Sequence, residues 1–191
     1  RGLKQAGLHV TVTTNGVLLT RQRCYDILDA GLDQLLVSID GPDASTHDSI
    51  RGKPGTFEKA MAGLSRFNEM AAGNARTGVN TLVCRPNLEW LARMPELAQS
   101  VGASQLRLLP YHQCYPFNQF VQDDELMPRT ADLPVLVDAL RDVMERAQDI
   151  GLHTNSRTYL EGIEGWYRGK PLAVRCQAGL TVCDINGFGE V

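Results

Sequence analysis

No stretch of 18 consecutive apolar residues occurs in the chain, so no membrane-spanning helix is expected. There is no initiator methionine and no apolar signal region. The opening RGLKQAG reads as the tail of a helix, and the chain is therefore expected to be part of a longer protein. A basic excess is missing too. Lys and Arg number 19 against 22 Asp and Glu, giving a net charge of -3, so nucleic acid is not expected as a partner. Cysteine is sparse and scattered, with five residues at 24, 84, 114, 176 and 183. The tightest spacing, Cys176 to Cys183, is too wide for a C-x-x-C knuckle. That pattern argues against a secreted disulfide framework and for a reducing, cytoplasmic setting. Short repeats and low-complexity segments are also lacking.

What remains is ordinary for a globular protein: 191 residues with 43% hydrophobic side chains, enough for about one domain with a substantial core. The chain reads as repeated strand–helix units. HVTVTT at 9–14 is rich in β-branched residues and stops at Asn15-Gly16, a turn signal. A helix is expected from Thr20 as N-cap to Gly31 as the residue past its end, with Cys24 on its apolar face beside Ile27 and Leu28. LLVSID at 35–40 is a second strand. Behind Thr56, the positions Phe57, Met61, Leu64 and Phe67 recur at helical spacing. VNTLVC at 79–84 and LRLL at 106–109 are a third and fourth strand. Asn87 is expected to cap the apolar-striped segment between them, which is interrupted at Pro95. Beyond Pro110, residues 111–128 look like an aromatic loop. A long amphipathic helix is expected at 130–150 and another at 157–168, and the end from Arg175 is rich in Cys and Gly.

Alternation at this spacing predicts parallel strands with right-handed crossovers. Four units are too few for a closed eight-fold barrel but suit part of a smaller or open one. Ligands of such folds sit at the carboxyl ends of the strands. There the sequence gathers its polar oddities: Asn15, Ser38, Asp40 and the loop carrying Arg51. Strand alternation puts Leu36, Ser38 and Asp40 on one face. A buried hydroxyl or carboxylate is costly unless paired. A satisfied turn around Gly41-Pro42, with Arg51 as counter-ion, would meet that cost. Several such groups at successive strand ends instead favour a ligand bearing a carboxylate, an amine and hydroxyls, with Arg as the bidentate partner of the carboxylate.

TNG at 14–16, GLDQLLVSIDG at 31–41, HDSIRG at 47–52 and GTFEKA at 55–60, in that order and spacing, resemble the central part of radical S-adenosylmethionine enzymes. The likeness is to the branch with a C-terminal auxiliary-cluster (SPASM) domain. It implies an α/β fold, a partial (β/α)6 barrel lacking its first units. Residues 1–128 would form the barrel portion, 129–174 a helical connection, and 175–191 the start of the auxiliary domain. It further implies S-adenosylmethionine and a 4Fe-4S catalytic cluster as cofactors. Reductive cleavage would yield a 5′-deoxyadenosyl radical that abstracts hydrogen from a peptide or small-molecule cofactor precursor. Flavodoxin or ferredoxin would be the electron donor. By position, Ser38 resembles the strand serine that contacts the cofactor, and Arg51 the arginine near its methionyl carboxylate. Asn15 and Asp40 match strand-end positions lining the same cavity, and Leu109 resembles the apolar residue that packs by the adenine.

Two segments of the family pattern are missing: the C-x3-C-x2-C triplet that ligates the catalytic cluster, and the Gly-Gly-Glu segment that holds the methionyl amine. As it stands the chain is therefore expected to be inactive. At the other end, Cys176, ten residues, Gly187 and four more residues resemble the opening of the auxiliary domain. In that comparison Cys176 is the first thiolate ligand of an auxiliary 4Fe-4S cluster, while Cys183 falls inside a hairpin with Asn186-Gly187 at its tip. His47 is expected to satisfy a neighbour, and Glu161 and Glu164 to lie on a solvated helix face. Cys84 and Cys114, near a strand end and in the loop after the fourth strand, could face substrate but have no metal partners by spacing. Tyr111, His112 and Tyr115 could face substrate or pack within their loop. Two other classes compete: a non-catalytic α/β barrel module for a nucleotide-like ligand or partner protein, and an aldolase-like lyase. The lyase needs a lysine at a strand end, and no predicted strand end has one.

Overall fold

Four strands pair in their order along the chain, and every neighbouring pair is parallel. They belong to a computed structural model that describes residues 1–111, 125–170, 183 and 185. The element order is α1 (Gly2–Gln5), β1 (Thr11–Thr14), α2 (Arg21–Asp29), β2 (Gln34–Ser38), α3 (Ala44–Arg51), α4 (Thr56–Ala71) and β3 (Arg76–Val83). A 3-10 segment (Arg85–Arg93), α5 (Met94–Ser100), β4 (Gln105–Pro110), a 3-10 turn (Thr130–Asp132), α6 (Leu133–Asp149) and α7 (Arg157–Tyr167) follow. No helix among the described residues is long and apolar enough to cross a membrane.

The local signals act where expected. The Thr20 side chain accepts the Arg23 N–H and starts α2, and Gly31, at φ +84°, lies just past its end. Cys24 is fully buried on that helix, and burial pushes its thiol up. The strand bounds shift for identifiable reasons. β1 begins at Thr11 rather than His9, because the Val10 N–H is taken by the Asp33 carboxylate instead of a ladder partner. β3 starts at Arg76, three residues earlier than the apolar run suggests; Gly78 sits inside the strand rather than before it. A Cβ there would stand 2.8 Å from the Leu36 side chain and 3.0 Å from the Gln105 carbonyl oxygen. Above that gap Gln34 of β2 donates to Gln105 of β4 at 2.7 Å.

Asn87 does not cap the segment after β3. Cys84 is the N-cap, and Asn87, three residues on, reaches back so that its Oδ1 accepts the Cys84 N–H at 3.0 Å. This is the reciprocal arm of a capping box, which a glutamate or glutamine usually supplies. The connection after the loop also adds to the sheet. Residues 152–155 run beside β4, with Gln105 and His153 forming a parallel bridge and the Asn155 Oδ1 accepting the Leu108 N–H. The sequence reading assigns no element between its helices at 130–150 and 157–168, where this added pairing falls.

The register decides which residues share a face. Leu35 and Val37 of β2 and Ile39 just past it, Val79 and Val83 of β3, and Leu106 and Leu108 of β4 pack in one apolar cluster with Phe57, Ala60, Leu64 and Phe67 of α4. Leu133, Leu136, Leu140, Val143, Leu160 and Ile163 of α6 and α7 belong to the same cluster. The opposite face carries Leu36, Ser38, Asn80 and Arg107, with Ser38 directly opposite Asn80 and Asn80 opposite Arg107. Tyr167 of α7 reaches the end of β3, where its hydroxyl donates to the Val83 carbonyl at 2.8 Å. Burial pushes that phenol far above its ordinary range.

Candidate functional site

β2 leaves the sheet at Ser38, and Asp40, two residues on, is held from three directions while only 1% exposed. Its Oδ1 accepts the Leu82 N–H of β3 at 2.9 Å. Its own N–H donates to the Nδ1 of His47 on α3 at 3.0 Å, and its carbonyl accepts the Asn87 amide at 2.8 Å. Arg51, also on α3, places Nε 2.6 Å from Asp40 Oδ2. That oxygen nevertheless accepts no hydrogen bond. The distance is that of an ion pair while the N–H direction is wrong, so the charge is compensated and the lone pair is not. Arg51 is thus the counter-ion of Asp40, as the turn reading expected. The carboxylate, however, bonds the neighbouring strand rather than its own Gly41-Pro42 turn.

Two helix starts make this arrangement rigid. Asp43 caps α3 by accepting the Thr46 N–H, and the hydrogen bond from that amide holds its carboxyl below the ordinary range. Asp48 caps the next helix from a distance, accepting the N–H groups of Gly55, Thr56 and Phe57 and the Thr56 hydroxyl. Burial pushes the Asp48 carboxyl up, but these donors outweigh it and leave it below its usual value. Gly41 makes room for the first turn of α3: a Cβ there would lie 2.5 Å from Thr46 Cβ and 2.8 Å from the His47 backbone nitrogen. Replacing Gly41 by Ala is expected to push α3 off the strand end and cost about 1–3 kcal/mol, an overpacking penalty. A lowered denaturant midpoint at unchanged m-value checks this.

The other residues picked out in the sequence fall as follows. Asn15 is exposed, and its Oδ1 accepts the Val17 N–H at 3.1 Å in an Asx turn that closes β1. It comes one residue beyond the Thr14–Val37 pair, level with Ser38. Ser38 is half-buried at the end of β2. Leu109 is paired in register with Leu82 and is 39% exposed, so it is not packed as core. Cys176, Cys114, His112, Tyr115 and the hairpin around Asn186-Gly187 lie outside the described residues. Glu161 and Glu164 form helix-surface pairs with Arg157 and Arg168.

Sequence reading missed Asn80 as a site residue; it expected His47 to satisfy a neighbour, as it does, but not that His47 and Asn87 meet at Asp40. Asn80, opposite Ser38, is 8% exposed, and its Oδ1 is buried without a hydrogen-bond partner. His47 and Asn87 hold Asp40 in place. Alternation within VNTLVC at 79–84 could have put Asn80 on the face of Ser38, but only once the register between the strands was known.

A family model described as the radical SAM superfamily matches residues 1–97. The chain belongs to that superfamily. Members use S-adenosylmethionine and a 4Fe-4S cluster. Curated relatives include an AdoMet-dependent heme synthase of Methanosarcina barkeri, 38% identical over 64% of this chain and 34% of its own length. A PqqA peptide cyclase of Methylocella silvestris is 33% identical over 72% of this chain and 36% of its own. The chain thus spans about a third of the length of these relatives. Among solved structures, Streptococcus suis SuiB bound to S-adenosylmethionine superposes with a TM-score of 0.61, 13% identity and coverage of 80% of this chain and 34% of that one. Native anSMEcpe with bound AdoMet gives 0.56, 13%, 84% and 43%. At these identities the structures establish the shared α/β fold with its parallel sheet.

The site suits one cofactor and not the other. A buried acceptor on Asn80 without a hydrogen-bond partner, together with the Asp40 carboxylate and its Arg51 guanidinium, fits a ligand carrying hydroxyl or amine donors and a carboxylate, as S-adenosylmethionine does. The C-x3-C-x2-C triplet is absent from the sequence. Among the described residues no group of three or more His, Cys, Asp or Glu could hold a metal ion. These residues do not fit the catalytic cluster.

Proposed function

We propose that the protein carrying this chain is a radical S-adenosylmethionine enzyme acting on a peptide or a cofactor precursor. In this reading, residues 1–128 supply strands of a partial (β/α)6 barrel, 129–174 the connection, and 175–191 the start of a SPASM-type domain with Cys176 as an auxiliary-cluster ligand. When bound, the cofactor supplies hydrogen-atom abstraction after its reductive cleavage. This chain's residues bind and orient it. Arg51 pairs with the methionyl carboxylate through the face of its guanidinium not turned to Asp40. Ser38, Asp40, Asn80 and Asn15 take up donors at the strand ends, and Leu109 offers an apolar contact. The names of the heme synthase and peptide cyclase relatives support both substrate classes. A flavodoxin- or ferredoxin-type protein fits as electron donor.

One observation carries this reading: Asn80 Oδ1, a buried acceptor on β3, has no hydrogen-bond partner, and Asp40 Oδ2, just past the end of β2, is met by the Arg51 ion pair alone. An unmet buried acceptor is costly, and a ligand donor recovers that cost. The test is equilibrium binding of S-adenosylmethionine to the anaerobically reconstituted protein and to its Asn80→Leu variant. Loss of one hydrogen bond, about 0.5–1.5 kcal/mol, predicts a roughly two- to twelvefold weaker complex. Equal affinity in the two proteins would remove Asn80 from the site. No binding by either would overturn the reading itself.

A further inference from the structure

His47 is 2% exposed, yet it contacts the candidate site only through the backbone of Asp40. Its Nδ1 accepts the Asp40 N–H at 3.0 Å, which requires that nitrogen to be unprotonated. The Asp40 N–H has left the sheet ladder at this point, since Ile39 is the last residue of this segment to donate to β3, through its bond to the Asn80 carbonyl at 2.9 Å. Without His47 the amide would be a buried donor with no partner. The imidazole is fixed in turn by the Phe57 ring of α4, with centroids 5.9 Å apart and planes tilted by 56°.

We propose, resting on the cofactor reading above, that neutral His47 is a positioning residue that holds Asp40 in its binding orientation, and that protonation of its imidazole releases Asp40. A proton on Nδ1 would set N–H against N–H and add a cation beside Arg51. The charged groups that reach the ring are Asp40 at the strand end and Arg51 and Asp48 on its own helix. From the 3-10 segment, Arg93 pairs with Asp43 at the start of that helix; α4 presents the apolar Phe57 ring. Burial is the main influence and lowers the imidazole pKa, Asp40 and Asp48 oppose it, and Arg51 adds to it. The signs agree with the geometry. The neutral ring is the native form, so its contribution is complete above the ordinary histidine range and is lost as pH falls through the lowered folded-state value.

The experiment compares S-adenosylmethionine affinity at pH 8 and pH 5.5 in the reconstituted protein, with His47→Asn and His47→Leu variants. Asparagine places Oδ1 near the position of Nδ1, keeping an acceptor that does not titrate. Expected are a loss of affinity on acidification for the wild type, smaller than roughly tenfold at pH 5.5 because burial lowers the imidazole pKa and deepening at lower pH, a flat profile for His47→Asn, and weak binding at both pH values for His47→Leu. Parallel acid losses in wild type and His47→Asn would overturn the proposal, as would wild-type affinity in His47→Leu. If His47→Leu does not fold, the wild-type and His47→Asn profiles decide alone. If no protein binds the cofactor at pH 8, the cofactor reading fails. The clamp is then judged by the nitrogen-15 shift of His47 Nδ1 and the exchange rate of the Asp40 amide. A protonated Nδ1 at neutral pH, or an unprotected amide, would refute it.

Discussion

Replacing Asn87 by Ala is expected to cost about 4 kcal/mol of unfolding free energy, several times the effect of an ordinary surface change. The side chain is 1% exposed and joins three backbone groups, two at the end of β3 and one in the turn after β2. Its Oδ1 accepts the Cys84 N–H at 3.0 Å, and its Nδ2 donates to the carbonyls of Asp40 at 2.8 Å and Leu82 at 2.6 Å. Truncation strands one donor and two acceptors, each worth about 1–3 kcal/mol when buried and unpaired, with relaxation and entering water recovering part of the sum. Asn87→Asp is expected not to rescue stability, because the carboxylate oxygen that replaces Nδ2 would face two carbonyls. Denaturant unfolding of the three proteins checks this. A loss below about 1 kcal/mol for Asn87→Ala would show that the amide does not bridge β3 to the Asp40 turn.

Arg51→Ala should lower stability and cofactor affinity together. Removing the guanidinium leaves the Asp40 carboxylate, 1% exposed, without its counter-ion. Breaking a buried pair costs roughly 3–5 kcal/mol, and the lower end applies here because Arg51 keeps 36% of its side chain in solvent. Adding Asp40→Asn to Arg51→Ala should recover much of the stability, since the second change removes the uncompensated charge while keeping an acceptor for the Leu82 N–H. It should not recover affinity. Loss of a charge-assisted bond to a carboxylate, about 1.5–3 kcal/mol, weakens S-adenosylmethionine binding roughly ten- to hundredfold. Calorimetric affinity that returns with stability in the double variant would confine Arg51 to a structural role.

Much of this protein was determined by short-range rules that its sequence states openly. The apolar runs at 35–39 and 79–83 can be buried only as strands with helices against them. Thr20 meets the exposed amides of α2, and Asp43-x-x-Thr46 those of α3. Turn residues after β1 and β2 mark where polar side chains can stand at strand ends, so Asn15, Ser38, Asp40 and Arg51 were visible as a set. The partners of that set were not visible. Asp40 meets Leu82 across 42 residues and Asn87 across 47, and Asn80 stands opposite Ser38 only through the strand register. Local preference extends over one helical turn or one strand, whereas register follows from how whole apolar faces fit together. A one-residue slip of β3 against β2 would have turned Asn80 into the core and Val79 toward Ser38. Tertiary packing alone therefore decided that Asp40 bonds β3 rather than its own turn, that His47 and Asn87 hold its backbone, and that the Asn80 acceptor at the strand ends has no hydrogen-bond partner.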